Sequence, residues 1–205
     1  MPDFKKFRVD VLAEDRAHFN FIRGFLVSKG VESRKISPVE DFSENKGSGE
    51  KRVRNHFADA IIKLRKNREN LFLVVAIDAD PGKDPSDRKE ELNEELTQKG
   101  LDKISKDDRL VTVIPKRNIE TWFAWVDAKN TGEKNSINED KDYKLKYLHA
   151  KAYTYGKKIS DIESAYRSGD INSISCEKLN SLRVAYDDYY TACCTLESYL
   201  NKQDR

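Results

Sequence analysis

Leu71-Phe72-Leu73-Val74-Val75-Ala76-Ile77-Asp78-Ala79-Asp80-Pro81-Gly82 is the stretch that decides the fold. Its unbroken apolar run describes a strand buried on both faces, as strands inside parallel sheets are. The run stops at two carboxylates one residue apart, and Pro81-Gly82 then signals a turn. In open α/β sheets, ligands bind at the carboxyl ends of the strands. Asp78-x-Asp80 at that edge offers hard oxygen ligands to one divalent cation, Mg²⁺ foremost. The plainer alternative is that both aspartates merely open a solvated loop and cap the next helix, so other acids in the chain must decide.

Working outward, residues 7–13 alternate apolar and polar and then turn apolar, as a strand entering a core does. Glu14 follows at once. Residues 15–29 carry Phe19, Ile22, Phe25 and Leu26 at helical spacing, with Asp15 at the start and Gly30 as the stop. Residues 31–39 form a weaker strand, which Pro38 assigns to a sheet edge. A polar loop at 43–49 leads to a helix over 50–68, with Val53, Phe57, Ala60, Ile61 and Leu64 on one face. After the 71–77 strand come a highly charged helix at 84–99 and a last strand at 110–115. The order β-α-β-α-β-α-β predicts an α/β fold with a four-stranded, mostly parallel sheet, right-handed crossovers and flanking helices. Residues 119–128 read as helical, 129–142 as polar and turn-rich, and 143–200 as tyrosine-rich helices. A soft boundary near Lys129 divides an α/β domain at 1–128 from a C-terminal helical region at 129–205. That region either packs on the sheet or forms a small lobe.

The chain has 205 residues, 36% charged and 38% hydrophobic, which describes a charged globular protein rather than a disordered one. A net charge of +2 does not announce a nucleic-acid binder by itself, so clustering matters more. Cys176, Cys193 and Cys194 are odd in number and include an adjacent pair. They read as reduced core residues of a cytosolic protein, not as a disulfide framework or zinc site. The first residues lack the apolar core of a signal peptide, and no run approaches membrane-spanning length, so the expectation is a cytoplasmic protein.

Acids follow three of the strands: Glu14 the first, Asp78 and Asp80 the third, Glu120 the fourth. Parallel strands end on one edge, which predicts that these four carboxylates converge. Gathered without partners they would raise one another's pKa, a conflict that a divalent cation removes. Helix capping accounts well for Asp84 and Asp87, and less well for a Glu directly after one buried strand and an Asp-x-Asp after another.

These residues resemble the Toprim domain of topoisomerases, primases and overcoming-lysogenization-defect nucleases. The resemblance covers about residues 7–126 and rests on Glu14, Asp78 and Asp80, with Glu120 as a further acid. It is closest to small stand-alone Toprim-like proteins of bacterial anti-phage and mobile-element neighbourhoods. The chain departs from the pattern at Asp15, where many relatives carry glycine, and in placing Glu120 at a helix start. The resemblance implies metal-dependent phosphodiester chemistry, with Asp78 and Asp80 holding Mg²⁺ (or Mn²⁺). Glu14 would serve as general acid or base, or as ligand to a second cation. Lys116 and Arg117, after the last strand, would neutralise charge developing on the phosphate, unless they are simply solvated. Hydrolysis is favoured over transfer to a tyrosine, since no tyrosine stands in a nucleophile context.

Over residues 51–68, Lys51, Arg52, Arg54, Lys63, Arg65, Lys66 and Arg68 stand against a single acid, Asp59. That one-sided charge fits a track for the phosphates of DNA or tRNA-like RNA, contacted by Arg52, Arg54, Lys63 and Lys66 together with Arg117. Its alternative is pairing with acids elsewhere or with a protein partner. Trp122, Phe123, Trp125 and Val126 fit a core better than a base-stacking platform. The tyrosines of 143–200 fit helix packing or a protein interface, through which the chain would self-associate. His18, one turn after Glu14, is within reach of the site but is expected to be an ordinary buried or surface histidine. No Gly-rich P-loop is present, so any energy-coupled action calls for a separate ATPase.

The expected function is therefore a Mg²⁺-dependent nuclease of a defence system. Two other classes compete: a receiver-like phosphoacceptor domain, disfavoured by four strands where that fold needs five, and a non-catalytic Toprim-like accessory subunit bound to an ATPase.

Overall fold

Strand β1 (Arg8–Ala13) is buried at every residue after Arg8, and β3 (Leu71–Ala76) is buried throughout. The two pair in parallel from Arg8↔Leu71 to Ala13↔Ala76. Around them the computed structural model, which describes residues 7–42, 48–67, 70–131, 137–167 and 180–203, builds one sheet in the order β2-β1-β3-β4. All of its pairings are parallel.

Edge strand β2 (Ile36–Pro38) is only three residues long. Expected at 31–39, it is shortened because Ser33–Lys35 closes a 3₁₀ turn, and Pro38 takes an edge place where its missing N–H costs nothing. Strand β4 (Leu110–Val113) forms the other edge. Its ladder to β3 runs on past both strands, with Ile77 N donating to Val113 O at 3.1 Å and Ala79 N to Pro115 O at 2.8 Å.

Helix α1 (Arg16–Ser28) is capped by the Asp15 side chain, and Gly30 ends its last turn at φ 93°. Helix α2 (Gly49–Lys66) starts at the Ser48 cap and buries Val53, Phe57, Ala60, Ile61 and Leu64, the stripe expected of it. Residues 43–47 of the expected loop and Arg68 lie outside the described residues, as do residues 1–6 and Cys176. Helix α3 (Pro85–Gln98) opens on a capping box of Asp84 and Asp87, with Pro85 at its first turn. Helices α4 (Glu120–Thr131), α5 (Lys144–Tyr147), α6 (Ala152–Arg167) and α7 (Asn180–Gln203) complete the chain.

Strand parity divides the core in two. Leu71, Leu73, Val75 and Ile77 pack with α2 and α3, while Phe72, Val74 and Ala76 pack with α1, α4, α6 and α7. The C-terminal helices therefore cover a sheet face: α6 crosses α1, and α7 lies along β4. Trp122, Phe123, Trp125 and Val126 are buried in this half, Phe123 stacking on Tyr155 at 4.5 Å. Cys193 is buried, as expected of a core residue, whereas Cys194 on the next position of α7 is exposed and does not belong to the core. Among the described residues no helix is long and apolar enough to cross a membrane.

The α1–α6 crossing depends on two glycines. A Cβ on Gly24 would lie 2.0 Å from Tyr153 O, and one on Gly156 would lie 1.9 Å from Phe21 O. Both obstacles are backbone and cannot yield cheaply. Gly156→Ala is expected to lower unfolding free energy by ~1–3 kcal/mol, measured as a lower urea midpoint. An unchanged midpoint would show that the helices separate freely.

Candidate metal centre

The register of β1 with β3 brings Glu14 beside Asp78, whose backbone N–H donates to Glu14 Oε2 at 2.9 Å. Glu14 N in turn donates to Ala76 O at 2.9 Å, extending the ladder to the edge of the sheet. Alternation continues past β3: Ile77 and Ala79 join the α2–α3 core, and Asp78 turns to the α1 side. There the His18 ring nitrogen Nε2 meets Asp78 Oδ1 at 2.8 Å, while Nδ1 meets Asp15 Oδ1, also at 2.8 Å. His18 is 1% exposed. Glu14, His18 and Asp78 each place a ligand atom within 4.8 Å of the others, the one such group among the described residues.

The electrostatics of this cluster are incompletely balanced. Burial raises the Glu14 pKa above the usual carboxylate range, and the neighbouring Asp78 charge adds to it. Burial also raises that of Glu120, with Asp78 again contributing, and Glu120 Oε2 is a buried oxygen with no hydrogen-bond partner. Burial opposes charge on His18, yet Asp78 and Asp15 on either side outweigh it and raise its pKa well above the ordinary value. Burial would raise Asp15 too, but the His18 hydrogen bond and charge bring it down to about 2. His18 thus acts as an internal cation holding Asp78 in place.

Asp80 has a different setting. Its Oδ2 lies 2.9 Å from Arg88 Nη2 and 3.3 Å from Lys83 Nζ, and its side chain is 47% exposed. Arg88 is fully buried, donating to Asp78 O, Glu50 and Glu91. Asp78 and Asp80 both line an open cavity of about 170 Å³ together with Glu14, Glu50, Arg117 and Lys144. They line it from opposite settings, Asp78 packed against histidine and Asp80 neutralised by arginine and lysine. Lys116 is held by Asp140 at 3.1 Å and Asp84 at 3.5 Å, and Arg117 by Asp140 O at 3.1 Å and Asp142 at 3.5 Å.

The basic residues of α2 are largely engaged inside the fold. Arg52 donates to Glu14 O at 2.7 Å and lies over the Phe42 ring, so it braces the start of the site. Arg54 pairs with Glu95 at 2.6 Å, Lys63 with Asp10 at 2.6 Å, and Arg65 with Asp108 at 2.8 Å. Lys66 stays exposed.

Arg88, Glu50 and Gly49 are the site residues that sequence alone passes over, and His18, within reach of the site by its spacing but expected to be ordinary, is the one it undervalues. The spacing of His18 from Glu14 and Asp15, one helical turn, was the available signal. Gly49 had none: a Cβ there would fall 2.2 Å from Glu14 O and 2.6 Å from Glu14 Cγ.

The donor set fits a hard divalent cation. Glu14 and Asp78 offer carboxylate oxygens within 4.8 Å of each other, whereas Glu120, expected to converge with them, falls outside that group, its buried Oε2 unpartnered among the described residues. With both ring nitrogens already engaged, His18 orients Asp78 rather than competing for the ion. No protein-family model matches the chain, and neither a curated protein nor a solved structure matches it.

A raised carboxyl pKa disfavours folding only once the group ionises, so its cost is absent below the unfolded value and present above the raised one. Glu120→Gln is therefore expected to raise the thermal midpoint in metal-free buffer at pH 7.5 and to change it little at pH 4. A gain of about 1 kcal/mol corresponds to about 2–4 °C at this chain length. Equal midpoints at pH 7.5 would show that the Glu120 charge is compensated.

Proposed function

We propose that this chain is a Mg²⁺- or Mn²⁺-dependent nuclease that hydrolyses phosphodiester bonds in DNA or structured RNA. The observation that carries the proposal is the meeting of Glu14 and Asp78 from two strand ends at an open cavity, with His18 within 4.8 Å of both. Glu14, with its pKa raised by burial and by the Asp78 charge, borders that cavity, and perturbed acids in a cleft mark functional sites.

Asp78 and Glu14 are the residues that would hold the cation, and Asp80 faces the same cavity from its pair with Arg88. When bound, a divalent cation supplies polarisation of the scissile phosphate and a nucleophilic water at neutral pH. Glu14, with its raised pKa, is suited to take up or return a proton. On a cavity wall that is acidic on balance, Lys144 and Arg117, the latter paired with Asp142, are the cations that would meet a phosphate once the ion is bound. His18 keeps the Asp78 carboxylate from rotating away. The same residues, Glu14 and Asp78-x-Asp80, carry the resemblance to Toprim-like nucleases, and a role in anti-phage defence belongs to the proposal. Any energy-coupled step would fall to a separate ATPase.

The test has two readouts. With Mg²⁺ or Mn²⁺ and a panel of single-stranded DNA, duplex DNA and tRNA, cleavage is expected to fall about 10²-fold or more in Asp78→Asn and Glu14→Gln. Independently, Mn²⁺ is expected to raise the thermal midpoint of the unaltered protein but not that of Asp78→Asn. Equal Mn²⁺ shifts in both proteins, or cleavage surviving in both variants, would overturn the assignment.

A further inference from the structure

A second feature lies on the outer side of α1, away from the sheet. Between α1 and the chain that enters α6 runs a groove of about 620 Å³. Arg16, Asn20 and Arg23 line one side, and Lys151, Tyr153 and Thr154 the other. No acid contributes to the lining. Arg23 donates to Ser33 Oγ at 2.6 Å, and among the described residues no carboxylate pairs with Arg16, Arg23 or Lys151. This contrasts with α2, where Arg54, Lys63 and Arg65 are each neutralised by a neighbouring acid.

Position adds to charge. Arg16, Asn20 and Arg23 recur at the spacing that keeps side chains on one helix face. From Arg16 to Arg23 the helix rises about 10 Å, so the row spans more than one phosphate of a backbone lying along it. The row begins two residues after Glu14, at the first turn of α1, whose cap is Asp15. The groove wall also holds one aromatic ring, Tyr153, with Lys157 Nζ 5.0 Å from its centroid. Uncompensated cations along a groove with an aromatic platform are how proteins bind single strands without sequence preference. The walls are held firm by the close approach of backbones at Gly24 and Gly156.

We infer that the Arg16–Arg23–Lys151 groove is the path of a single-stranded nucleic acid backbone toward the metal centre, with Tyr153 stacking a base. The inference rests on the proposed nuclease function and specifies where its substrate lies. It locates the electrostatic footprint on α1 and α6, not on the cation-rich helix α2.

Binding can be read without cleavage. A fluorescein-labelled single-stranded oligonucleotide is titrated into the full chain by anisotropy, in EDTA, across a range of NaCl. Arg16→Gln with Lys151→Gln is expected to weaken binding at least fivefold at low salt. The slope of log K against log salt should fall by about 1.4, at about 0.7 per phosphate contact. Tyr153→Leu should weaken binding with the slope unchanged. Lys51→Gln with Lys66→Gln, on the exposed part of α2, is the comparison pair and should have the smaller effect. Far-ultraviolet circular dichroism confirms that each variant is folded. Unaltered affinity in the groove variant, a larger loss in the α2 pair, or no oligonucleotide binding by the unaltered chain would each overturn the inference. So would binding of polyglutamate in preference to the oligonucleotide, which would assign the groove to an acidic protein. If the unaltered chain binds through the groove yet cleaves nothing with Mg²⁺ or Mn²⁺, the groove stands and the proposed catalysis falls.

Discussion

The parallel pairing of β1 with β3 is the constraint on which the site depends. Its register puts Ala13 opposite Ala76, and the next hydrogen bonds in the series are made by Glu14 and Asp78. A backbone amide of one strand end thus donates to the side chain of the other. Two acids far apart in the chain are held together by the same ladder that builds the core. Displacing either strand by one residue would send its acid to the opposite face of the sheet.

Keeping these acids close is costly, and the fold offsets only part of the cost. His18, enclosed between Asp15 and Asp78, supplies one internal positive charge. Arg88 supplies another on the far wall, where it donates to Glu50 and Glu91 and lies 2.9 Å from Asp80. Neither reaches Glu120 Oε2. Natural proteins leave buried polar atoms unsatisfied chiefly where strain or function calls for it. Stability is surrendered at this edge while the rest of the sheet is packed on both faces.

The two helical layers have different tasks. α2 and α3 are tied to the sheet and to each other by ion pairs, such as Arg54 with Glu95 and Lys63 with Asp10. α1 and α6 meet through glycines so closely that backbone touches backbone, and their polar surface is left for a groove. High charge content therefore says little about where a partner binds. What matters is which charges remain after the fold has paired the others.

The sequence by itself determined the order of elements, the parallel sheet, the apolar stripe of α2 and the placing of acids after strands. Those features follow from local periodicity, from strand parity and from the rule that parallel strands end on one edge. Even the edge position of β2 was legible from Pro38, though its length was not, because a 3₁₀ turn competes with strand over Ser33–Lys35. Only the tertiary structure decided which charges are neutralised. It took Asp80 to Arg88, Lys63 to Asp10 and Arg52 to the end of β1, and it turned His18 from an unremarkable helix residue into the partner of Asp78. The physical reason is that side-chain pairing is set by distance in space, and the docking angles of α1, α2 and α3 on the sheet fix those distances without any mark in the local pattern.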